Sequence, residues 1–388
     1  MRRVYVDYAA TTPMDPQVFD AMKPYFTELF GNASSINSSG VAARKSIEES
    51  REKIARFMNA EPDELVFTGS ATESNNFALK GYAFKHGKAE THIAISTIEH
   101  DCALNSAKWL KGQGFNVAFI SVDKYGIIDI DELESAIDEG ATLVSVIHAN
   151  NEIGTIQPIT EIAELCKKNN VIFHTDAAQS FGKLPIDVKR IGIDMMTINA
   201  HKLYGPKGVG ALYIRKGIEL EPLLHGGGHE FGLRSSTENV PGIVGFAKAV
   251  ELRKEEMTPE GERLARLRDR LIRGALEIED SGLNGHPKHR LPNNANFHFG
   301  YIEGEAIVLS LDMEGIEASS GSACSSKSEL PSHVLLAIGL KPEEARGSLR
   351  ISLGKYNMPE DIDYILEVLP KAVHRLREMS PLAKKVNL

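Results

Sequence analysis

A lysine at the end of an apolar run is the first residue whose position suggests chemistry. Lys202 lies in INAHKLYGPKGVG (198–210), where hydrophobic residues give way to a stretch rich in Gly and Pro. The apolar part predicts a short buried strand and the rest a tight loop, so Lys202 stands where the strand ends. Burial there makes the neutral amine of a lysine available, and that amine is a Schiff-base nucleophile. The alternative interpretation is an ordinary surface lysine on a turn.

A carboxylate holds a comparable place earlier in the chain. VIFHTDAAQS (171–180) contains a short apolar run that ends in Asp176, as expected of a strand buried on both faces of a parallel sheet. The carboxyl ends of such strands border the crevice in which open α/β sheets bind ligands. Pyridoxal phosphate requires this pair, because the carboxylate keeps the pyridine nitrogen protonated and the lysine carries the aldehyde. Taken alone, Asp176 has a second interpretation as a helix N-cap.

A phosphate site is predicted between a short strand and a helix. The strand Leu65–Phe67 is followed by TGSATESNN (68–76) and then by a helical pattern. A strand, a turn of small polar residues and a helix N-terminus together present free N–H groups to an anion. We predict that Ala71 binds phosphate through its N–H and that Thr72 does so through its N–H and hydroxyl. The alternative is plain capping of the helix by the hydroxyl groups of this turn.

Cys324 differs from the other cysteines in its surroundings. It lies in ASSGSACSSKSELPS (318–332), which offers almost nothing to bury, so we expect an exposed, mobile loop with a thiol that can ionise and attack. Cys166 falls in a helical pattern, and we expect it in the core. Cys102 follows His100, so a place near the cofactor is one interpretation, although core packing is favoured for it as well. The three cysteines lack paired spacing, which argues against a disulfide framework and a zinc cluster.

An arginine near the end of the chain suits a substrate carboxylate. GSLRISLG (347–354) places Arg350 on a strand. Arginine binds a carboxylate through two parallel hydrogen bonds, which would fix the orientation of an amino acid. The alternative interpretation of Arg350 is a structural ion pair.

The elements that must position these residues form an α/β pattern. Short apolar runs alternate with helical patterns between residues 91 and 149, which predicts βαβ units and a mostly parallel sheet. A chain of 388 residues exceeds the size of a single core, so two domains are expected. We place the boundary at the polar break 257–259. Residues 15–257 then form a large domain, while 1–14 and 258–388 form a smaller α+β domain with the cysteine loop (about 319–332).

Composition excludes several classes of function. The formal net charge of −9 argues against a general nucleic-acid role. No run of about 18 apolar residues is present, and the N-terminus MRRVYVDYAATTP lacks the apolar core of a signal peptide. We therefore expect a cytosolic protein with no membrane partner and no direct nucleic-acid partner.

Several motifs taken together resemble a known family. YVDYAATTP, ANNEIG, TDAAQS, HKLYGPKGVG and SSGSACSS resemble the cysteine desulfurases of the IscS/NifS type, in the class V aminotransferase superfamily. The resemblance extends to about Leu382. It implies the type I fold of pyridoxal phosphate-dependent transferases, with a mostly parallel seven-stranded sheet flanked by helices. It also implies that L-cysteine is converted to L-alanine and that the sulfur is left as a persulfide on Cys324.

The resemblance assigns roles around the reacting centre. His100 stacks on the cofactor ring and helps to move protons on the substrate thiol. Asn151 and Gln179 bind the 3′-oxygen of the cofactor, and Asn151 also touches the substrate. Lys202 carries the cofactor and moves the α-proton of the substrate, while Arg350 holds the substrate carboxylate.

Further roles concern the phosphate and a second subunit. His201 and Asn199 are implied to bind the phosphate, although Asn199 replaces the usual serine and its role is open on that account. The segment HGGGHEFGLRSSTENV (225–240) is implied to lie at a homodimer interface, where Thr237 reaches the phosphate of the neighbouring subunit.

The implied partners are L-cysteine and proteins that accept the persulfide sulfur, such as an IscU-like iron–sulfur scaffold or enzymes of tRNA thiolation. Because thiolates ligate iron, Cys324 is also a candidate ligand of a [2Fe–2S] cluster shared with a scaffold partner. Three alternatives stay open: a selenocysteine lyase, another class V aminotransferase, and a scaffold subunit of an iron–sulfur assembly complex whose active site has decayed.

Overall fold

A seven-stranded sheet contains the strands at whose ends Asp176 and Lys202 were predicted. The computed structural model describes residues 2–321 and 331–384 of the chain. Cys324 lies outside the described residues, so the exposed loop expected for it stays a prediction.

The strands and helices follow one another as the alternating pattern predicted. The strands are β1 (Val4–Tyr5), β2 (Leu65–Thr68), β3 (His92–Ser96), β4 (Asn116–Ile120), β5 (Leu143–Ser145), β6 (Ile172–Asp176), β7 (Met195–Asn199), β8 (Gly210–Ile214), β9 (Ser281–Asn284), β10 (Asn294–Phe299), β11 (Ile316–Glu317) and β12 (Ser348–Ser352). The helices are α1 (Pro16–Met22), α2 (Pro24–Thr27), α3 (Ser38–Phe57), α4 (Ala71–Asn76), α5 (Tyr82–His86), α6 (Asp101–Gly112), α7 (Ile130–Asp138), α8 (Ile159–Lys168), α9 (Val188–Ile191), α10 (Val240–Ala275), α11 (Gly304–Asp312), α12 (His333–Ala337), α13 (Pro342–Arg346), α14 (Pro359–Met379) and α15 (Pro381–Lys384). A π-helical turn, Phe77–Gly81, joins α4 to α5.

The large sheet is mostly parallel, as predicted. Its strand order is β2-β8-β7-β6-β5-β3-β4. Strands β4, β3, β5, β6 and β7 run parallel, whereas β8 is antiparallel to both β7 and β2. Parallel strands need crossover connections, and the helices that supply them cover the sheet on both faces.

Burial on both faces leaves only the strand ends for polar chemistry. Successive side chains of a strand point to opposite faces, and the two adjacent methionines of β7 illustrate this. Met195 belongs to a hydrophobic cluster with residues of α5 and α6, while Met196 belongs to another with residues of α3, α8 and α10. Among the side chains of this sheet, those that bind a ligand are therefore expected at the edge where the parallel strands end.

A smaller sheet and its helices form a second hydrophobic cluster. The antiparallel sheet has the order β12-β10-β9, and β1 pairs in parallel with β11 beside it. The cluster combines strand residues such as Phe297 with Leu267 of α10, Leu311 of α11 and Leu369 of α14. The division into domains at residue 257 stays a prediction.

The expected break at 257–259 does not interrupt the helix. Helix α10 runs without interruption through this boundary, from Val240 to Ala275, with Pro259 inside it. A proline in a helix removes one hydrogen bond and costs about 3 kcal/mol. Burial of the two halves in separate hydrophobic clusters offsets that cost. An ion pair between Arg253 and Glu260, at 2.8 Å, also spans the proline.

Across the described parts of the chain, no helix combines the length and the apolar character that crossing a bilayer requires. The cytosolic location stays a prediction.

Candidate active site

The strands predicted to carry Asp176 and Lys202 are neighbours in the sheet. Asp176 is the last residue of β6 and pairs with Thr197 of β7, which ends at Asn199. Lys202 follows in the turn after β7 and is half-buried. Both side chains therefore belong to the edge of the sheet where open α/β sheets bind ligands.

His100 lies within electrostatic range of both groups. It is the N-cap of α6, and its Nδ1 accepts the N–H of Cys102 at 3.2 Å. Burial lowers the pKa of His100 and the Lys202 amine lowers it further, whereas the Asp176 carboxylate acts in the opposite direction. The structure therefore gathers His100, Lys202 and Asp176 into one cluster and favours the neutral imidazole.

The Asp176 carboxylate is buried and accepts two hydrogen bonds. Its Oδ2 accepts from Nδ2 of Asn75 at 2.6 Å, and its Oδ1 accepts from the N–H of Ala178 at 2.8 Å. Donors on both oxygens stabilise the charged form of a carboxylate. A buried carboxylate of this kind suits a protonated pyridine nitrogen.

The predicted phosphate ligands approach one another across β8. Asn199 pairs with Gly210, and a Cβ at Gly210 would come within 3.2 Å of the Ala71 nitrogen. Only glycine permits this close approach of β8 to the start of α4. Ser70 caps the helix by accepting the N–H of Glu73 at 3.1 Å. The N–H groups at the first positions of a helix have no partner within it, so capping by Ser70 and anion binding by residues 71 and 72 are compatible.

The remaining phosphate candidates have distinct surroundings. The Oδ1 of Asn199 is buried and has no hydrogen-bond partner within the described residues. His201 faces the N-terminal segment, with its Nδ1 3.1 Å from Oγ1 of Thr11. Burial lowers the pKa of His201 to about 4. Thr237 is exposed, and its contact with the phosphate of a second subunit stays a prediction.

Asn151 and Gln179 lie in the loops that follow the neighbouring strands β5 and β6. The Oδ1 of Asn151 is buried and finds no partner in the described part of the chain. Gln179 is buried, and its Nε2 donates to the carbonyl of Ala9 at 2.9 Å. The amide of Gln179 therefore holds the N-terminal segment in addition to any contact with a ligand.

Arg350 lies beside Asn151 and is almost fully buried. Its side chain is 2% exposed, and it donates to Oδ1 of Asp7 at 2.7 Å and to the carbonyl of Asn151 at 3.1 Å. Its Nε has no partner among the described residues. The ion pair proposed as the alternative interpretation is thus present. A guanidinium has five N–H donors, so capacity remains for a substrate carboxylate.

The described residues on either side of 322–330 lie close to these groups. Ser319 and Arg350 exchange backbone hydrogen bonds at 2.7 and 3.2 Å. The hydroxyl of Ser332 donates to Oε2 of Glu152 at 2.6 Å, and Glu152 directly follows Asn151 in the chain. The described residues that flank 322–330 are therefore bonded to groups beside the candidate site, whereas Cys324 itself lies outside the described residues.

Sequence reasoning missed three residues of this site and misread one. Asn75 stands one helical turn after Ala71, a spacing that could have placed it on the same face of α4. Neither Asp7 nor Glu152 was singled out, because nothing local distinguishes them. Cys102 was expected in the core, but it is only half-buried, and its Sγ lies 3.0 Å from Nδ1 of His100. Cys102 is the second residue after the N-cap of α6, and its side chain lies beside that of the N-cap residue, His100.

The groups at this edge fit pyridoxal phosphate. The buried carboxylate of Asp176 suits the ring nitrogen, and the buried amide oxygens of Asn151 and Asn199 are polar atoms whose partners are missing from the described residues. Lys202 lies within electrostatic range of His100 at the same edge. Among the residues that the structure describes, no group of three or more His, Cys, Asp or Glu side chains is arranged to hold a metal ion.

Comparison with known proteins gives consistent results. Residues 4–365 match the family described as aminotransferase class-V. The chain is 56% identical over 381 residues to cysteine desulfurase IscS 1 of Archaeoglobus fulgidus, covering 98% of this chain and 100% of that protein. It is 52% identical over 384 residues to cysteine desulfurase IscS of Methanosarcina thermophila, covering 99% and 95% of the two chains.

Solved structures agree with the sequence comparisons. A NifS-like protein superposes with a TM-score of 0.91 at 39% identity, covering 97% of this chain and 100% of that one. A structure described as SspA in complex with cysteine superposes with a TM-score of 0.82 at 40% identity, covering 92% and 100%.

Proposed function

The chain belongs to the class-V aminotransferase family, among the cysteine desulfurases, and on that premise we propose that it converts L-cysteine to L-alanine and leaves the sulfur as a persulfide on Cys324. The observation that carries the proposal is the cluster of Asp176, His100 and Lys202 at one edge of the sheet. This cluster supplies a ring-nitrogen partner, a neutral imidazole and an amine on adjacent elements.

The cofactor would be held by groups already described. Asp176 would bind the ring nitrogen, Lys202 would carry the aldehyde, and Asn151 and Gln179 would contact the 3′-oxygen. The phosphate would be bound by a separate set, namely Ala71, Thr72, Asn199, His201 and Thr237 of a second copy. When bound, pyridoxal phosphate supplies an electron sink for the bonds at the α-carbon of the substrate.

The side chains of this chain perform the rest of the reaction. The guanidinium of Arg350 holds the substrate carboxylate and thereby fixes the direction of the α-proton. The Lys202 amine takes that proton as a general base. His100 exchanges protons with the substrate at its sulfur. The Cys324 thiolate forms a bond to the substrate sulfur as the carbon–sulfur bond breaks. The electron pair of the broken bond stays on the carbon side, where added protons complete alanine.

The decisive experiment is mass spectrometry of the Cys324 peptide after the purified protein is incubated with pyridoxal phosphate and L-cysteine. We expect one added sulfur on that peptide and an equal amount of alanine. The matched control is Cys324→Ser, which should bind the cofactor and form no persulfide. A transaminase would keep its turnover in Cys324→Ser, and a decayed scaffold subunit would bind no cofactor, so either result would overturn the proposal.

A preference for selenocysteine is tested in the same assay. A desulfurase should turn over L-cysteine readily in this assay, whatever its rate with L-selenocysteine. A selenocysteine lyase would turn over the selenium substrate and leave L-cysteine nearly untouched.

The proposal includes a homodimer, supported by an exposed apolar surface. Phe30 and Ile36 are 73% and 97% exposed in the segment that precedes α3. Ser34 joins this segment to the Gly-rich stretch, with its Oγ 3.1 Å from Nε2 of His229. Phe231 in the same stretch is also exposed. Large apolar side chains concentrated at one surface are typical of a site that another protein covers. We propose that a second copy of this chain covers this apolar surface. Such a dimer would bring Thr237 of each copy to the phosphate site of the other.

The acceptor of the persulfide sulfur would be an IscU-like iron–sulfur scaffold, with tRNA thiolation as a second outlet. Supporting this is the presence of IscS in the names of the similar proteins. We also propose that Cys324 ligates a [2Fe–2S] cluster shared with that scaffold. Iron and sulfide analysis of the purified complex tests this part, because Cys324→Ser should lower the bound iron without dissociating the complex.

A further inference from the structure

A chain of hydrogen bonds joins Asp176 to His100 through two residues with no assigned role. Nδ2 of Asn75 lies 2.6 Å from Oδ2 of Asp176 and 3.1 Å from Sγ of Cys102. That sulfur lies 3.0 Å from Nδ1 of His100, and the N–H of Cys102 donates to the same nitrogen at 3.2 Å. Four side chains from α4, β6 and the start of α6 are thereby linked.

The direction of each hydrogen bond follows from the groups involved. A carboxylate only accepts, so the Asn75 amide uses its two protons for Asp176 and for the Cys102 sulfur. Nδ1 of His100 already accepts a backbone N–H and therefore carries no proton of its own. The Asn75 amide and the Thr72 hydroxyl both act as donors to the Cys102 sulfur, so its S–H can be directed towards Nδ1, where it shares the single lone pair of that nitrogen with the Cys102 N–H. The ring proton of the neutral imidazole then resides on Nε2. This tautomer is inferred from the network of donors and acceptors.

We propose that Asn75 and Cys102 are positioning residues that hold His100 as the Nε2–H tautomer and couple its orientation to Asp176. In this arrangement Nδ1 is occupied, and the nitrogen left for the reaction carries a proton. His100 therefore begins the cycle as a donor from Nε2 and accepts a proton only afterwards. The inference rests on the proposed function, because it specifies how His100 takes part in that reaction.

The properties of Cys102 fit a donor and argue against a nucleophile. Burial raises the pKa of the Cys102 thiol to about 12, with a further contribution from the Asp176 carboxylate. The thiol therefore stays protonated at neutral pH, as donation to Nδ1 requires. A protonated thiol attacks substrates poorly. Cys102 thus differs in task from the proposed nucleophile Cys324.

The charges around His100 come from several elements. Burial and the Lys202 amine after β7 lower the pKa of His100, and His333 of α12 adds to this. Asp176 of β6 and Asp101 of α6 oppose it. Glu99 precedes His100 and is itself buried, with a carboxyl pKa raised by that burial. A protonated Nδ1 would face the Cys102 N–H and S–H, both donors, which further disfavours the charged ring.

The test measures the titration of His100 in the cofactor-free protein. Hydrogen–deuterium exchange at C2 of histidine, read by mass spectrometry of peptides, gives the midpoint for His100 separately from the other histidines. In Cys102→Ala the S–H donor is lost, and we expect the midpoint to rise by about half a pH unit to one pH unit. Cys102→Ser restores a hydroxyl that can donate to Nδ1, so its midpoint should stay close to that of the wild type.

A second variant covers the case in which Cys102→Ala does not fold. Asn75→Ala frees the sulfur lone pair to accept from a protonated Nδ1, and the midpoint should rise in this variant as well. An unchanged midpoint in either folded variant, or equal shifts in Cys102→Ala and Cys102→Ser, would overturn the proposal.

The same variants separate this inference from the proposed function. Persulfide formation on Cys324 should fall in His100→Gln if His100 acts in the reaction. If His100→Gln retains full activity while Cys102→Ala still shifts the midpoint, the positioning network stands and the role of His100 fails. If His100→Gln is inactive and Cys102→Ala changes neither the midpoint nor the pH profile of persulfide formation, only the network is refuted.

Discussion

The guanidinium of Arg350 donates a hydrogen bond to the carboxylate of Asp7 at 2.7 Å, although 343 positions separate the two residues in the chain. This ion pair attaches the N-terminal segment to β12 directly beside Asn151, whose carbonyl accepts from the same guanidinium. A substrate carboxylate would therefore bind a guanidinium whose orientation is already fixed by two hydrogen bonds. Preorganised donors of this kind lose little freedom when a ligand binds.

Arg350→Lys tests whether this arginine binds substrate. A lysine keeps the positive charge but cannot form two parallel hydrogen bonds, so KM for L-cysteine should rise about tenfold or more. The matched control is Asp7→Asn, which weakens the ion pair and leaves the guanidinium in place. We expect Asp7→Asn to lower the free energy of unfolding by about 1 kcal/mol and to change KM much less. Equal KM values for Arg350→Lys and the wild type would make Arg350 purely structural.

Covalent attachment of the cofactor should occur at Lys202 and not at Lys183. The two lysines line the same cavity, and burial lowers the pKa of Lys183 to about 7, which makes it the rival amine. Borohydride reduction followed by peptide mass spectrometry should place pyridoxal phosphate on the Lys202 peptide. Lys202→Arg should abolish the label and slow persulfide formation by about a hundredfold or more. Lys183→Met is the control, and a label that disappears with this variant would reverse the assignment.

Lys183 also predicts a pH-dependent contribution to stability. Its folded pKa of about 7 lies below the ordinary value of 10.5, so between these values the unfolded chain binds more protons. The burial of Lys183 therefore lowers the free energy of unfolding of the wild type by its full amount below pH 7. This loss becomes smaller as the pH rises towards 10.5. Lys183→Met removes the titrating amine. The free energy of unfolding of this variant minus that of the wild type should be larger at pH 7 than at pH 9, by about 2 kcal/mol.

Urea denaturation of the cofactor-free protein at both pH values checks this difference. The exposed Lys254→Met is the control and should show the same stability difference from the wild type at each pH. A pH-independent difference for Lys183→Met would mean that Lys183 keeps its charge in the folded state.

Charges placed on the exposed apolar surface should dissociate the homodimer. Ile36→Glu would bury a carboxylate in the proposed interface, so sedimentation should show monomers at concentrations where the wild type is dimeric. Leu309→Glu, on an apolar residue of α11 that is 66% exposed, is the control and should leave the mass unchanged. A monomeric wild type would refute the interface.

Mixing two inactive variants tests whether each site uses residues of both subunits. In a hybrid of Lys202→Ala and Thr237→Ala chains, one of the two sites has both defects and the other has neither. We expect the mixture to recover persulfide formation that each variant lacks alone. No recovery in a verified hybrid would show that Thr237 acts within its own chain or not at all.

Replacing Pro259 should stabilise α10. Pro259 lies inside the helix and withholds one backbone hydrogen bond, so Pro259→Ala should raise the free energy of unfolding by about 1 to 3 kcal/mol. Pro241 stands in the first turn of the same helix, where a proline is tolerated, and Pro241→Ala should be nearly neutral. Equal effects of the two substitutions in denaturation experiments would contradict the cost assigned to Pro259.

The sequence alone determined the parts of the site that follow from local patterns. An apolar run followed by polar or Gly-rich residues marks a strand end, and this placed Asp176 and Lys202 at the ends of two strands, which the structure shows to be neighbours. The turn before α4 was likewise visible, because small polar residues ahead of a helical pattern indicate a helix N-terminus. The motifs around Lys202 and Cys324 supplied the family from the same local information.

Only the tertiary structure decided which distant side chains meet. The hydrogen bonds from Asn75 to Asp176 and Cys102, and from Arg350 to Asp7, join residues on separate elements, and no local pattern encodes such contacts. The continuity of α10 was also a tertiary outcome, because the local cost of Pro259 is offset by burial of both halves of the helix in different clusters. Local sequence sets where elements begin and end, whereas packing free energy summed over many distant contacts sets how they are arranged.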